Sequence, residues 1–391
     1  MNKTIILILL ILFIIYFYKF HINIYIFISR GIIVPNKFWW KINDLFIGKH
    51  ELSNYLDKYR KGEHSISLLG VNLKIVSNIN DVRHILENSP NIFKRGTIKY
   101  NFFKPLMQNN VGITYDTDLW IKRRKLNETV LGTHILKYNL ITYLKSQIVR
   151  IINDIQNYSL RDNFIELGKK ITKLIVFGHL DISDKIFDLI KTPSFVKILY
   201  PDNTNYNKEW TELLKISKIE TNSLLGRLKE HNIDFDNEII QQIPHWIFPI
   251  FGSVSITLPR LLLLDSLYSK DDIPIKNRIL ETLRLYNPVV TLFRLDPNTN
   301  IEYLIFIQMF LRDPTYFPNP HEYNPNRWYD KNLEFKVYNL IFSQGPQICP
   351  GKNLILFLLE ILFTNIQPIF KSKKKLDLQD LPDSLNPFDL F

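Results

Sequence analysis

The sequence predicts a mainly helical α+β fold with small β-sheets, preceded by an N-terminal transmembrane helix. Apolar residues recur at helical spacing in long segments, of which 136–156 and 164–178 are the clearest. Residues 65–77 have the pattern of a short strand pair. Residues 5–18 are continuously apolar or aromatic, which is typical of a membrane segment.

The apolar N-terminal segment predicts an anchor that crosses the membrane once. The run that ends at Tyr18 is shorter than the roughly 20 residues that span a bilayer, but the apolar pattern resumes after Lys19 and continues to Ile28. No small-residue cleavage site follows it, which argues against a signal peptide. Because Arg30 and two lysines follow the segment, the positive-inside rule places the rest of the chain in the cytosol. A buried helix is the alternative interpretation.

The rest of the chain is predicted to form a single domain. We assign residues 1–30 to the anchor and residues 31–391 to the domain, since no Gly/Ser linker, long charge run or internal repeat interrupts them. The net charge is +11, but the basic residues are scattered. Such scattering disfavours a nucleic-acid partner and indicates a solvated basic surface, which also suits a negatively charged membrane face.

The only cysteine, Cys349, lies between two glycines and two prolines and directly precedes an apolar helical run. A lone cysteine excludes an intramolecular disulfide and does not suit structural zinc, which needs about four clustered ligands. A catalytic nucleophile is an alternative. The flanking glycines favour a loop whose backbone comes close to a flat ligand. Such a loop can present a thiolate to an iron at a helix N-terminus.

This loop resembles the heme-binding loop of the cytochrome P-450 family, with the pattern Phe-x-x-Gly-x-Arg-x-Cys-x-Gly. Phe342, Gly345, Cys349 and Gly351 match the pattern in register. The resemblance covers about residues 34–370. It implies a cytochrome P-450-like fold and heme b as the cofactor, with Cys349 as the axial ligand of the iron.

Other motifs of the family follow the same order along this chain. Glu281 and Arg284 are three residues apart and share a helix face. The segment "PNRW" would add Arg327, which gives a Glu–Arg–Arg cluster. The resemblance implies that this cluster supports the fold near the heme, because Arg–carboxylate bonds are bidentate and directional.

The resemblance also implies a set of cations for the heme propionates. Gln347 stands where the family usually has a basic residue for this purpose. Trp120 and Arg124 repeat a Trp-x-x-x-Arg pattern that the family uses near the heme edge, and Arg294 lies where another propionate-binding arginine is common. We therefore expect Arg124 and Arg294 to provide most of the neutralisation.

Catalytic residues are expected on the helix that crosses over the heme in this family. There, an acid followed by a threonine supplies protons for O–O bond cleavage. The best match is residues 251–268, where Val254 occupies the acid position and Ser255 the threonine position. A second register uses Thr257. Ser255 and Thr257 are thus catalytic candidates, with helix packing as the alternative, and Pro259 is expected to kink or end the helix.

The function that the resemblance implies is a membrane-anchored, cytosol-facing heme-thiolate monooxygenase. It would insert one oxygen atom from O2 into an apolar small molecule, with electrons from a reductase that docks on the basic surface. One alternative is a heme-thiolate enzyme that uses peroxide or rearranges hydroperoxides, which the missing acid at Val254 favours. The other is a non-catalytic, degenerate heme-binding relative, which Gln347 and shortened connecting segments favour.

Overall fold

The computed structural model describes residues 48–68, 71–100, 114, 116–132, 138–155, 161–189, 220–233, 239, 242–268, 272–330 and 337–386. The predicted anchor at residues 1–30 lies outside the described residues. The predicted fold class is confirmed, since the described part is mainly helical and has one small mixed sheet.

Helices dominate the described part of the chain. Those before residue 240 are α1 (Glu51–Asp57), α2 (Ile79–Glu87), α3 (Thr117–Leu131), α4 (Tyr138–Asp154), α5 (Arg161–Phe177), α6 (Lys185–Leu189) and α7 (Leu224–Glu230). Those after it are α8 (Ile243–Gly252), a π-helical turn (Ser253–Thr257), α9 (Leu258–Ser266), α10 (Ile275–Leu285), α11 (Ile307–Leu311) and α12 (Lys352–Ile366). The bounds of α4 and α5 confirm the two segments that helical spacing predicts, and α5 is followed directly by Gly178, whose φ is 89°.

The sheet has five strands in the order β1-β2-β5-β4-β3. Its strands are β1 (His64–Leu68), β2 (Val71–Ile75), β3 (Lys94–Arg95), β4 (Thr291–Asp296) and β5 (Ile301–Phe306). The antiparallel pairing of β1 with β2 confirms the predicted strand pair. The parallel pairing of β2 with β5 joins the two halves of the chain, and β3 pairs antiparallel with β4 at the far edge.

The core is built around one continuous helix of 24 residues, Ile243–Ser266, which we call the central helix. It combines α8, the π-helical turn and α9, and Leu261–Leu264 within it are fully buried. The central helix and Lys352–Ile369 are both long and apolar enough to cross a membrane. However, 83% of the most apolar window of the central helix is buried within the fold, which is typical of a core helix.

The central helix does not end at Pro259, although an end was one of the two outcomes that the sequence predicts. Pro259 is the second residue of α9 and follows the π-helical turn directly. In that turn, Leu258 donates its backbone N–H to the Ser253 carbonyl, five residues back. The wider turn provides room for the proline ring, which would otherwise meet the carbonyl of the preceding turn.

Candidate functional site

Cys349 lies in a tight loop that leads into α12. Its backbone N–H donates to the Phe342 carbonyl at 2.8 Å, and the backbone N–H of Gly351 donates to its sulfur. Because α12 begins at Lys352 and has 15 residues, the sulfur lies at the positive end of a long helix dipole. Burial raises the pKa of the Cys349 thiol, and the Gly351 N–H and the nearby cations oppose this only in part.

The two glycines of the loop have different surroundings. Gly345 has a φ of 71°, and a Cβ there would lie 2.3 Å from the Leu86 carbonyl oxygen. This glycine is required by the packing of the loop against the end of α2. A Cβ on Gly351 would lie 4.0 Å from the Cys349 sulfur, which is ordinary van der Waals contact. The half-buried ring of Phe342 lies under the Lys352 ammonium, 5.6 Å from it.

Trp120 and Arg124 lie one turn apart on α3, beside the cysteine loop. Trp120 is buried, and Arg124 donates through Nη1 to the carbonyl of Ile348, the residue before the cysteine. The Nε of Arg124 also donates to Glu128 Oε1 at 2.5 Å. Arg124 therefore connects α3 to the loop, but a carboxylate already offsets its charge.

Cys349 is close to three basic side chains, Arg95, Lys99 and His245, and we call the space among these four residues the hollow. Each of the four residues is half-buried and retains accessible surface. Lys99 lies close enough to Cys349 to influence the pKa of the thiol, and close enough to His245 to influence the pKa of the imidazole. Lys99 therefore lies near both the thiol and His245 of the central helix.

The central helix presents an open stripe along α8. The accessible residues there are His245, Phe248, Pro249 and Gly252, whereas the intervening positions are mostly buried. Their spacing of three or four residues places them on one helix face. A Cβ built on Gly252 would meet nothing within 4 Å. A flat ligand can therefore lie against this face without displacing a side chain at Gly252.

A cavity of about 110 Å³ adjoins the same stripe. Phe248, Gly252 and Ile256 form its wall on the central helix, and Val289 and Val290 form another wall before β4. Strand β4 then continues from this wall to Arg294. This volume is below the roughly 150 Å³ of a cavity that holds benzene, and Arg260, Gln308 and Asp383 also line the space.

The hydroxyls of the central helix do not all face the cavity. Ser255 lies against α5, since a Cβ on Gly168 would lie 2.2 Å from its Oγ. Thr257 is fully buried, and neither hydroxyl has a hydrogen-bond partner among the described residues. Ser253 lines the cavity and donates to the Pro249 carbonyl at 2.7 Å. The sequence motif indicates Ser255 and Thr257 but not Ser253. The one sequence signal for Ser253 is its spacing of four residues from Pro249, which places both on one helix face.

Four basic side chains form a cluster beside the hollow: Arg95, Lys99, His245 and Arg294. Burial lowers the pKa of Lys99 to about 7, with the charges of Arg95 and Arg294 acting in the same direction. Burial and the charges of Lys99 and Arg95 lower the pKa of His245 to about 4. Arg294 is expected from the sequence, whereas Arg95 and Lys99 are not.

Glu281 is the centre of a buried hydrogen-bond network that includes all three predicted members. Arg284 donates to both carboxylate oxygens at 2.9 and 2.8 Å, and Arg327 donates to one of them at 3.0 Å. The Trp328 indole and the Asn324 backbone N–H each add a bond of 3.0 Å. Burial alone would raise the pKa of Glu281, but the two arginines outweigh it and hold the pKa below its ordinary value.

The same network fixes the Pro-rich segment that leads towards the cysteine loop. Arg284 also donates to the carbonyls of Leu311, Pro320 and Glu322 at 2.8–2.9 Å. Further along, the Asn287 side chain donates to the Ile341 carbonyl at 3.0 Å, just before the loop. Arg284 of α10 and Asn287, which follows that helix, therefore hold the segments that precede the cysteine loop.

Sequence comparisons match the second half of the chain most clearly. The family model for cytochrome P-450 matches residues 275–386. The chain is 36% identical over 104 residues to the mitochondrial cholesterol side-chain cleavage enzyme of Equus caballus, covering 22% of this chain and 20% of that enzyme. It is 26% identical over 176 residues to cytochrome P-450 71B29 of Arabidopsis thaliana, covering 41% and 30%. The matched segments thus span less than a third of each relative.

Likeness in structure extends over much more of the chain. A cyanobacterial cytochrome P-450 with bound retinoic acid superposes with a TM-score of 0.62 and 14% identity, covering 83% of this chain and 88% of that one. A zebrafish cytochrome P-450 superposes with a TM-score of 0.60 and 14% identity, covering 82% and 91%. At this identity, the likeness establishes a shared fold.

Proposed function

We propose that this chain is a divergent member of the cytochrome P-450 family, a heme-thiolate protein that inserts one oxygen atom from dioxygen into an apolar small molecule. The observation that carries the proposal is the position of Cys349. Its thiol lies at the N-terminus of α12 and close to the cationic cluster that includes Lys99 and, on the open stripe of the central helix, His245.

The residues around the hollow fit heme b. The open stripe offers an apolar face without a side chain at Gly252, and Cys349 offers one soft ligand for iron. Buried donors on Arg95, Arg294 and Gln347 lack an acceptor among the described residues, which suits a ligand with two carboxylates. When bound, heme supplies the activation of dioxygen, and a thiolate ligand favours cleavage of its O–O bond.

The chain's own residues bind and orient the two ligands. The Gly351 N–H and the dipole of α12 stabilise negative charge on the Cys349 sulfur. The apolar walls of the cavity, which include Phe248 and Ile256, would exclude water from the substrate. Ser255 and Thr257 are kept as candidates for holding or moving a proton at Oγ or Oγ1, and Ser253 joins them because it lines the cavity.

The cellular setting is part of the proposal. We assign residues 1–30 to a single-pass membrane anchor and residues 31–391 to one heme domain on its cytosolic side, because basic residues follow the apolar segment. A reductase would supply the electrons, and the net charge of +11 suits an acidic redox partner. A membrane location also gives access to apolar substrates.

A second candidate function is peroxide-dependent chemistry at the same site. The central helix contains one carboxylate, Asp265, which lies near the end of α9. This carboxylate accepts a hydrogen bond from Arg278 of α10. Val254, at the position of the family's acid, is fully buried and apolar. A chain without a proton-relaying acid in the π-helical turn is better suited to peroxide or hydroperoxides, whose O–O bond is already formed and reduced.

The two candidates are separated by the oxidant that supports turnover. The heme-loaded full chain is incubated with a panel of small apolar molecules and either a reductase with NADPH or hydrogen peroxide, with Cys349→Ala as the control. Products that require the reductase support the monooxygenase, and products with peroxide alone support the second candidate. If folded, heme-loaded protein forms no product under either condition, both candidates are contradicted.

A further inference from the structure

We infer that His50, His321 and Asp383 form a binding site for Zn²⁺, which fastens the C-terminal segment, residues 377–386, to the rest of the fold. One ligand atom of each of the three residues lies within 4.8 Å of the other two. None of these residues belongs to the cysteine loop or to the central helix. The inference therefore goes beyond the proposed function and does not rest on it.

The spacing of the donor atoms suits a metal ion. The Nδ1 of His50 lies 3.9 Å from Asp383 Oδ1, and the Nδ1 of His321 lies 3.8 Å from the same oxygen. Zn²⁺ binds imidazole nitrogen and carboxylate oxygen at about 2.0–2.2 Å, so the ligand atoms of a tetrahedral site are roughly 3.3–3.6 Å apart. Small movements of the side chains would therefore close the site around an ion.

Backbone hydrogen bonds bring the three ligands together from distant parts of the chain. Leu381 donates its N–H to the His321 carbonyl at 3.0 Å, and Asp383 donates its N–H to the Lys49 carbonyl at 2.7 Å. Lys49 directly precedes the first histidine of the site. The Asp383 carboxylate also accepts bonds from the N–H and the hydroxyl of Ser53, both at 2.6 Å. The fold thus positions the ligand set in advance.

His50 has the second contact that is typical of a metal-binding histidine. Its Nε2 lies 2.8 Å from Asp380 Oδ1, and the other oxygen of Asp380 is paired with Lys49 at 2.5 Å. Metal-binding histidines commonly direct their second ring nitrogen at a carboxylate, which fixes the tautomer and makes the ligating nitrogen more basic. The Nδ1 of His50 is buried and has no hydrogen-bond partner among the described residues. A bound metal would supply that partner.

Arg312 competes with a metal for two of the ligand atoms. Its Nη1 lies 2.8 Å from His321 Nδ1 and 3.3 Å from Asp383 Oδ1. Its Nη2 donates separately to the carbonyls of Leu285 and Pro382, at 3.0 and 3.2 Å. These two bonds can hold the guanidinium while Nη1 moves away from the ligand atoms. The affinity of the site therefore depends on this exchange.

The donor set favours zinc over hard cations. Two imidazole nitrogens and one carboxylate suit Zn²⁺, whereas Mg²⁺ and Ca²⁺ are bound mainly by oxygen. The side chains of His50 and His321 are 25% and 26% exposed, so water can reach the site and complete the coordination. Asp383 and Ser384 also line the cavity. A metal at this site would therefore stabilise one wall of the cavity.

The test titrates the full chain with Zn²⁺ after a chelator has removed bound metal, with Mg²⁺ as the hard-cation comparison. Calorimetry measures the affinity, and the urea midpoint of unfolding measures the stabilisation that binding adds. The site variants are His50→Gln, His321→Gln and Asp380→Asn. His64→Gln is the matched control, since this half-buried histidine lies outside the cluster and its Nε2 is bonded to the Lys61 carbonyl. Cys349→Ala controls for zinc binding by the thiol.

We expect Zn²⁺, but not Mg²⁺, to bind the wild type and to raise its unfolding midpoint. Each histidine variant should bind Zn²⁺ at least about tenfold more weakly, and Asp380→Asn about tenfold more weakly because it removes the outer contact. His64→Gln and Cys349→Ala should keep the affinity of the wild type. Zn²⁺ should also protect His50 and His321, but not His64, from diethyl pyrocarbonate, a measurement that needs no variant to fold.

Three results would overturn the inference. They are failure of the folded wild type to bind Zn²⁺, wild-type affinity in both histidine variants, and loss of the affinity in Cys349→Ala. Equal modification of His50 and His321 with and without Zn²⁺ would overturn it as well.

Discussion

Arg95 and Arg294 lie directly opposite each other on neighbouring antiparallel strands, and protein surrounds both side chains. Two enclosed cations in such a pair repel each other unless an anion joins them. Strand β4 also leads from the cavity wall at Val290 to Arg294. Strand β4 therefore connects the cavity with the cationic cluster.

Restoring the family's basic residue should strengthen heme retention. Gln347 is 4% exposed, and both its amide atoms are buried without a partner among the described residues. In Gln347→Arg, a guanidinium would add a charge-assisted bond to a propionate. We expect heme transfer to an excess of apomyoglobin to slow severalfold. The exposed Asn91→Arg adds the same charge elsewhere, and an equal effect from it would show that the gain is not local.

The Glu281 network should dominate the stability of the region around the cysteine loop. Glu281→Gln leaves Arg284 and Arg327 without their carboxylate, which should lower the free energy of unfolding by about 3–5 kcal/mol. Urea unfolding near neutral pH measures this. Glu322→Gln is the control, because its carboxylate lies 4.0 Å from Arg327 and should matter far less. Equal losses in both variants would contradict the central position of Glu281.

The same carboxylate should make stability depend on acid. The folded-state pKa of Glu281 is lower than the ordinary value of 4.5, so its stabilisation is complete above that pH. As the pH falls below 4.5 towards the folded-state pKa, the unfolded state takes up the proton first and the stabilisation is lost. The difference in unfolding free energy between wild type and Glu281→Gln should therefore narrow below about pH 4.5. A difference that widens on acidification would reverse the assigned sign.

Ser255 can be tested as a packing residue against Gly168. Gly168→Ala would place a Cβ 2.2 Å from the Ser255 Oγ and 3.0 Å from the Phe251 ring, and we expect it to lower the free energy of unfolding. Ser255→Ala removes the closer contact, so the double variant should recover part of the loss. A double-mutant cycle measures this coupling. Strict additivity would mean that the hydroxyl does not pack against α5.

The two loop glycines should respond differently to alanine. Gly345→Ala forces a side chain into the left-handed region, at about 1–2 kcal/mol, and against the Leu86 carbonyl, so the fold itself should weaken. Gly351→Ala meets only the Cys349 sulfur, at 4.0 Å. We expect it to leave unfolding nearly unchanged and to reduce heme affinity. Thermal melts of the heme-free protein and heme titrations separate the two effects.

The sequence predicts those parts of the fold that depend on local pattern. Helical spacing indicates α4 and α5, and the three-residue separation of Glu281 and Arg284 anticipates their bidentate bond. Arg95 is different, because its relation to Arg294 depends on strands almost 200 residues apart in the chain. No periodicity within either segment records that pairing.

Regular helical spacing also cannot predict which hydroxyl of the central helix faces the cavity. The π-helical turn at Ser253–Thr257 inserts an extra residue into the helical repeat. It thereby changes which of the following side chains share a face. Ser255 lies against α5 and Ser253 lines the cavity, whereas a family motif read at regular spacing favours Ser255.

The most direct test of the account is the carbon monoxide difference spectrum of the reduced, heme-loaded full chain. We predict a strongly red-shifted Soret band, which a thiolate ligand from Cys349 would produce, and its loss in Cys349→Ala. Folded protein that gives no heme signal, or a band that is unchanged in Cys349→Ala, would contradict the assignment of this chain as a heme-thiolate protein.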